Sequence, residues 1–287
     1  MEQGRVKQLA HEIVRVGKSK SRWMVENIPV YVAGFGRGLG IYHSENTRRL
    51  AAFQNKHQGQ RCFVVGNGPS LTAEDLEKIS GEYSFGCNMV YKIFAQTSWR
   101  PSYHCVSDLM LSQNKGSEFA KYVESPYFTL KSRYRELEAC PKDTVYVYDI
   151  NHKYYRVSDN LLRYVVRSKA TVVLFMIELA MYMGFQEIYL LGVDCTSSFE
   201  KQGHFVENYI SKELQNKDLD RTRDIMRKPD ATESEIRRYH LERDMHRYEK
   251  IKRAAQKRQV QIFNATRGGQ LEVFQRKSLN ELYKNST

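Results

Sequence analysis

A chain of 287 residues, 41% hydrophobic and 12% aromatic, can bury a sizeable core, which excludes a disordered chain. Its formal net charge of +12 favours acidic partners: nucleic acid, anionic lipid or phosphorylated small molecules. No run approaches the roughly 18–20 apolar residues of a membrane span, and Met1–Gly17 has no apolar signal-peptide core, so the chain reads as cytoplasmic.

Residues 5–27 have helical character, with Val6, Leu9, Ile13 and Val16 at helical spacing. Residues 28–42 are mixed and glycine-rich. Together, residues 1–55 read as an N-terminal helical and irregular appendage that packs on the main domain, on a membrane surface or on a partner. A helix is expected over 44–58, with Ser44 as N-cap. From 61 onward strands and helices alternate. Strands are expected at 61–65, 83–87, 103–107, 144–148, 187–193 and 259–263. Helices are expected at 72–80, 88–96, 116–124, 158–167, 171–183 and 233–258. Such alternation implies an α/β fold, a mostly parallel sheet with helices on both faces. The helix at 171–183 is apolar nearly all round and so buried, and Gly184 stops it. Residues 196–232 are polar and poor in periodic apolar residues, which reads as an active-site lid or a disordered segment. Residues 56–287 form the catalytic domain in this reading.

The five cysteines, at 62, 87, 105, 140 and 195, have no CxxC spacing and suit free thiols in a reducing compartment. Residues 237–258 carry nine Lys/Arg against three acids, without the interleaved exposed aromatics that single-strand nucleic-acid binders use. Nucleic acid is therefore not an expected partner.

Ligands of a doubly wound sheet bind at the carboxyl ends of its strands. Four expected strand ends carry polar residues. The first is Gly66-Asn67-Gly68-Pro69-Ser70, whose amides could cradle a phosphate before a helix capped by Ser70. The others end in Asn88, Asp108 and Asp194. Each alone is an ordinary turn residue; their convergence on one edge points to a site. The turn lacks the lysine of a P-loop and the third glycine of a dinucleotide fingerprint. No metal is expected, although Asp108 and Asp194 could hold one. His204 is the only histidine of the lid, and an imidazole suits removal of a proton from a sugar hydroxyl near neutral pH.

GNGPSL after a strand, a strand ending in CN, a buried helix feeding GFQEIYLLGVD and a lid with His-aromatic resemble the bacterial lipooligosaccharide sialyltransferases. NKHQGQRCFVVGNGPSL with NATRGGQLEVF resembles more closely the MptE-like group, named after a 6-hydroxymethylpterin diphosphokinase and common in bacterial polysaccharide gene clusters. The motility accessory factors that glycosylate flagellin look like further relatives. The resemblance covers about 55–280. It implies a Rossmann-like, GT-A-like fold and a metal-independent glycosyltransferase without a cofactor, using a CMP-activated sialic-acid-like or Kdo-like donor and a glycan or lipid-linked acceptor. By position, Asn67, Gly68 and Ser70 would meet the CMP phosphate and ribose, with Asn88 near the cytidine or phosphate. Asp194 would lie at the nucleotide edge, and Asn264 and Thr266 near the base. His204 would be the general base, and Tyr209 would help the phosphate leave. The chain departs from the pattern at Lys169-Ala170-Thr171, where many relatives carry a small Gly- or Ser-rich turn; Lys169 or Arg167 could instead meet a carboxylate or phosphate. The alternative is an ATP- and Mg²⁺-dependent pterin diphosphokinase, its metal on Asp108 and Asp194. Peripheral contact with an anionic membrane at its inner face and homo-oligomerisation both stay open.

Overall fold

The computed structural model describes residues 24–25, 27–131, 140–152, 154–167, 171–195, 205 and 212–283. The expected helix at 5–27 lies almost wholly outside them. A helix α1 covers 27–38, followed by α2 (Glu45–Ala51), β1 (Arg61–Val65), α3 (Ala73–Lys78), β2 (Ser84–Cys87) and β3 (Tyr103–Val106). Next come α4 (Leu109–Tyr122), β4 (Tyr127–Lys131), β5 (Val145–Asn151), β6 (Val165–Arg167), α5 (Val172–Tyr182) and β7 (Glu187–Leu191). The chain closes with α6 (Lys212–Met226), α7 (Glu233–Lys257), β8 (Gln261–Asn264), β9 (Gln275–Arg276) and α8 (Leu279–Tyr283).

The nine strands form one parallel sheet in the order β6-β5-β4-β3-β2-β1-β7-β8-β9. A parallel sheet covered on both faces needs strands that are apolar throughout. β1 meets this: Cys62 and Val64 face a core built with α5, Leu50 of α2 and Tyr248, Ile251 and Ala255 of α7. Phe63 and Val65 face a second core with Leu71, Leu76, Ile79, Trp99 and Leu279. α5 is buried at every position from Val172 to Met181, so it is the layer on which the first face rests. Replacing one of its leucines by alanine would cost about 2–5 kcal/mol. Thr171 caps its start. Gly184, at φ +89°, ends it against the backbone of Asn55 and Gln58.

Several expectations need correction. The 88–96 helix is only a 3₁₀ turn at Val90–Ile93. The 158–167 helix does not form: Asn160 Oδ1 accepts from Leu162 N–H in a local turn, and β-branched Val165 and Val166 then pair with β5. β4 and β9 have no counterpart among the expected strands. The start of α3 is capped by Thr72, not Ser70: Thr72 and Asp75 form a reciprocal capping box. The expected lid holds a 15-residue helix, α6, packed on α7 through Leu219, Met226, Ala231 and Ile236. All five cysteines are free, and Cys62, Cys87 and Cys105 are buried. Among the described residues no helix is long and apolar enough to cross a membrane.

Candidate functional site

From β1 the chain moves strand by strand to β6 on one side, then returns to place β7 on the other side of β1. The crevice outside the carboxyl ends of β1 and β7 is thus the topological switch point, where α/β sheets bind ligands. Four loops meet there: 66–71 after β1, 88–89 after β2, 192–195 after β7 and 265–270 after β8.

The first and third loops are latched together. Gly66 N–H donates to Leu191 O, and Gly68 N–H donates to Gly192 O, both at 2.8 Å. Ser70 Oγ donates to Asp194 Oδ2 at 2.9 Å. A Cβ on Gly68 would lie 1.8 Å from Asp194 Oδ2 and 2.7 Å from Gly192 O, so glycine is required there. The amides of Gly66 and Gly68, two of the turn's expected phosphate-cradling N–H groups, thus hold the β7 loop.

Asp194 is buried, and desolvation raises its pKa despite the Ser70 hydroxyl and amide and the Arg267 charge, which act the other way. A carboxyl held this way at a crevice wall suits a hydrogen bond to a ligand hydroxyl. Asn67 is buried, and its amide donates to Cys87 O at 3.0 Å, tying the turn to β2. Pro69 sits at the turn with its φ fixed by the ring. Asn88 holds a left-handed backbone at φ +47°, and its Oδ1 is buried with no hydrogen-bond partner among the described residues. An orphaned acceptor beside a crevice is what a ligand donor would satisfy.

Asn264 and Thr266 are buried and carry structural bonds. Asn264 Nδ2 donates to Leu271 O, and Thr266 Oγ1 accepts from Val193 N–H and donates to Leu190 O. They shape the β7–β8 side of the crevice. Asp108 starts α4: its Oδ1 accepts from Leu111 N–H and its carbonyl accepts from Ser112 N–H. Among the described residues no group of three or more His, Cys, Asp or Glu could hold a metal ion. Asp108 and Asp194 are each engaged locally, Asp108 at the start of α4 and Asp194 with Ser70.

His204, Tyr209 and Lys169 lie outside the described residues, as does the side chain of Arg167. Phe205, which follows His204 in the chain, donates its backbone N–H to Asn67 O at 3.1 Å and packs between the second core and a third cluster around Met89 and Phe119.

Three participants were not anticipated. Arg267 grips Asp75 through two nitrogens at 2.9 and 2.7 Å and Ser70 O at 2.8 Å, pinning the turn from outside. Gly192 and Gly269 both take positive φ, and a Cβ on Gly269 would lie 2.7 Å from Asp194 O. The signal was present in the Gly268-Gly269 pair, in the loop after β8, a turn that needs left-handed backbone.

The family described as 6-hydroxymethylpterin diphosphokinase MptE-like matches residues 41–199, more than half of the chain and every loop of the crevice except 265–270. The chain belongs to the MptE-like family. No curated protein matches it. Among solved structures it is similar to an MAf glycosyltransferase from Magnetospirillum magneticum AMB-1, with 17% identity and a TM-score of 0.47 over 81% of this chain and 38% of that one. It is also similar to a mammalian sialyltransferase solved with Gal-beta-1-3GalNAc-ortho-nitrophenol, with 11% identity and a TM-score of 0.31 over 63% of this chain and 76% of that one. The chain thus spans well under half the length of the first of these.

Proposed function

We propose that the chain is a glycosyltransferase of bacterial surface polysaccharide or glycoconjugate synthesis. It moves an acidic, sialic-acid-like or Kdo-like sugar from a CMP-sugar to the hydroxyl of a glycan or lipid-linked acceptor. The observation that carries the reading is the crevice at the switch point, where Asn67, Ser70, Asn88 and Asp194 converge and Asn88 Oδ1 has no donor among the described residues. A cytidine amino group or a ribose hydroxyl supplies that donor. Asp194 and Ser70 would receive the ribose.

His204 is the general base in this reading. The anchoring of Phe205 to Asn67 supports it, because it ties the adjacent residue of the same segment to the crevice mouth. The acceptor oxygen attacks the anomeric carbon, its proton passes to the imidazole, and the bond to the CMP phosphate breaks with its electrons going to the phosphate. Tyr209 would donate to that phosphate as it leaves. No metal is used.

The family description favours a second reading, a pterin diphosphokinase using ATP and Mg²⁺. A thermal-shift panel of CMP, CDP, UDP, GDP and ATP, each with Mg²⁺ or EDTA, separates the two, since a ligand bound only to the folded state raises Tm. The expected result is a rise with CMP or CDP that EDTA leaves unchanged, followed by loss of turnover in His204→Ala. A rise with ATP and Mg²⁺ alone would replace the first reading by the second.

A further inference from the structure

Helix α1 has two faces with different roles. On one, α1 is bolted to the body. Val30 and Arg37 are buried, Arg37 donates to the carbonyls of Leu162 and Arg163 at 2.8 and 2.7 Å, and its guanidinium lies 3.8 Å over the Tyr148 ring. Gly34 and Gly38 explain why glycines stand inside this helix. A Cβ would come within 2.8 Å of Arg163 O at Gly34 and 2.4 Å of the Arg163 side chain at Gly38.

The other face is exposed and wholly apolar. Met24, Val25, Ile28, Val32, Phe35 and Leu39 are the exposed described residues from 24 to 39, with Val32 at 67% and Phe35 at 60% exposure. Within α1, at about 100° per residue, Ile28, Val32 and Phe35 fall within an arc of roughly 60°, opposite the buried one, and Met24, Val25 and Leu39 flank them in the chain. Ile41 and Tyr42 extend the patch, and elsewhere among the described residues only four large hydrophobic residues are comparably exposed. A helix face turned to water carries polar residues; this one has none.

We infer that this stripe docks on the surface of an anionic lipid bilayer, with α1 lying along the interface. The charge around it selects that occupant. In the sequence, residues 5–26 hold Arg5, Lys7, Arg15, Lys18, Lys20 and Arg22 against Glu12 and Glu26, and residues 27–44 hold no acid. An apolar stripe continuous with a polybasic run is the pattern of interfacial anchors, in which apolar burial and attraction to anionic headgroups add. A second copy is disfavoured, because pairing the same stripe on two chains of +12 would bring two basic runs together. The inference holds whatever the crevice binds.

The test is co-sedimentation of the full chain with phosphatidylcholine vesicles, with and without an equal share of phosphatidylglycerol, beside the double variant Val32→Glu/Phe35→Glu. Both side chains are exposed, so the variant should keep its Tm. The wild type should pellet with anionic vesicles and less so as salt rises. The double variant should partition at least about tenfold more weakly, since each such side chain contributes about a factor of ten or more on burial. Intrinsic fluorescence gives a second readout. Trp99 is buried, so a blue shift on adding vesicles reports Trp23, next to Met24 in the chain. Equal binding of wild type and variant, equal binding to neutral and anionic vesicles, or no binding would overturn the inference. So would a dimer by light scattering that the variant abolishes while vesicles take up neither protein.

Discussion

Gly68 has no room for a side chain, and the reason is functional geometry rather than backbone conformation. Its Cα faces Asp194 Oδ2 and Gly192 O, so one methyl group must displace either the carboxylate that Ser70 holds or the backbone of the β7 loop. Gly68→Ala should destabilise by about 1–3 kcal/mol, the usual cost of overpacking, and should disconnect Ser70 from Asp194. Gly81, whose Cβ would meet nothing within 4 Å, is the control, and its alanine variant should stay within about 0.5 kcal/mol of wild type. Urea titration of both proteins checks this; equal midpoints would mean that the β7 loop yields freely and the latch is not tight.

At the scale of elements, what the sequence revealed depended on how much of an element's burial came from its own pattern. β1 and α5 are apolar throughout and were legible. β6 was misread because three residues carry too little pattern to outweigh the helical spacing of Leu161, Leu162 and Val165; pairing with β5 decides it. Of the site, Asn67, Ser70, Asn88 and Asp194 were legible as strand-end residues, whereas Arg267 acts from 192 residues away on Asp75 and leaves no local trace.

α5 also contains a departure from its own pattern. Glu178 is buried in this apolar helix, where it accepts from Tyr155 Oη at 2.7 Å and Ser158 N–H at 2.8 Å and so holds the 155–158 loop. Desolvation pushes its pKa up from 4.5 to about 7. The folded state thus keeps the proton more tightly than the unfolded chain. The stability this contributes is full below about pH 4.5 and is lost as pH rises to about 7. Glu178→Gln should flatten the stability profile across that window by on the order of 2–4 kcal/mol. Denaturant unfolding at a series of pH values reads it directly; an unchanged slope in the variant would assign the titration elsewhere.

At the scale of the molecule, the switch point combines the most rigid strands with the loops most able to respond. β1 and β7 pair over five residues and lie inside the nine-stranded sheet, covered on both faces. β6 and β9 at the edges have three and two residues. Backbone amides open with free energies that follow burial and contact, so exchange should be slowest at Cys62–Val65 and Ile188–Leu191 and fastest at β6 and β9. A ligand in the crevice stabilises only what it touches. CMP should slow exchange at 66–71, 88–89, 192–195 and 265–270 and leave β6 unchanged. The slow strands cannot move much further, because they already sit near the global limit, so the response concentrates in the loops. Protection that appeared instead at the β5–β6 end would place the ligand beside α1, and the crevice would then be a packing feature of the sheet rather than its binding site.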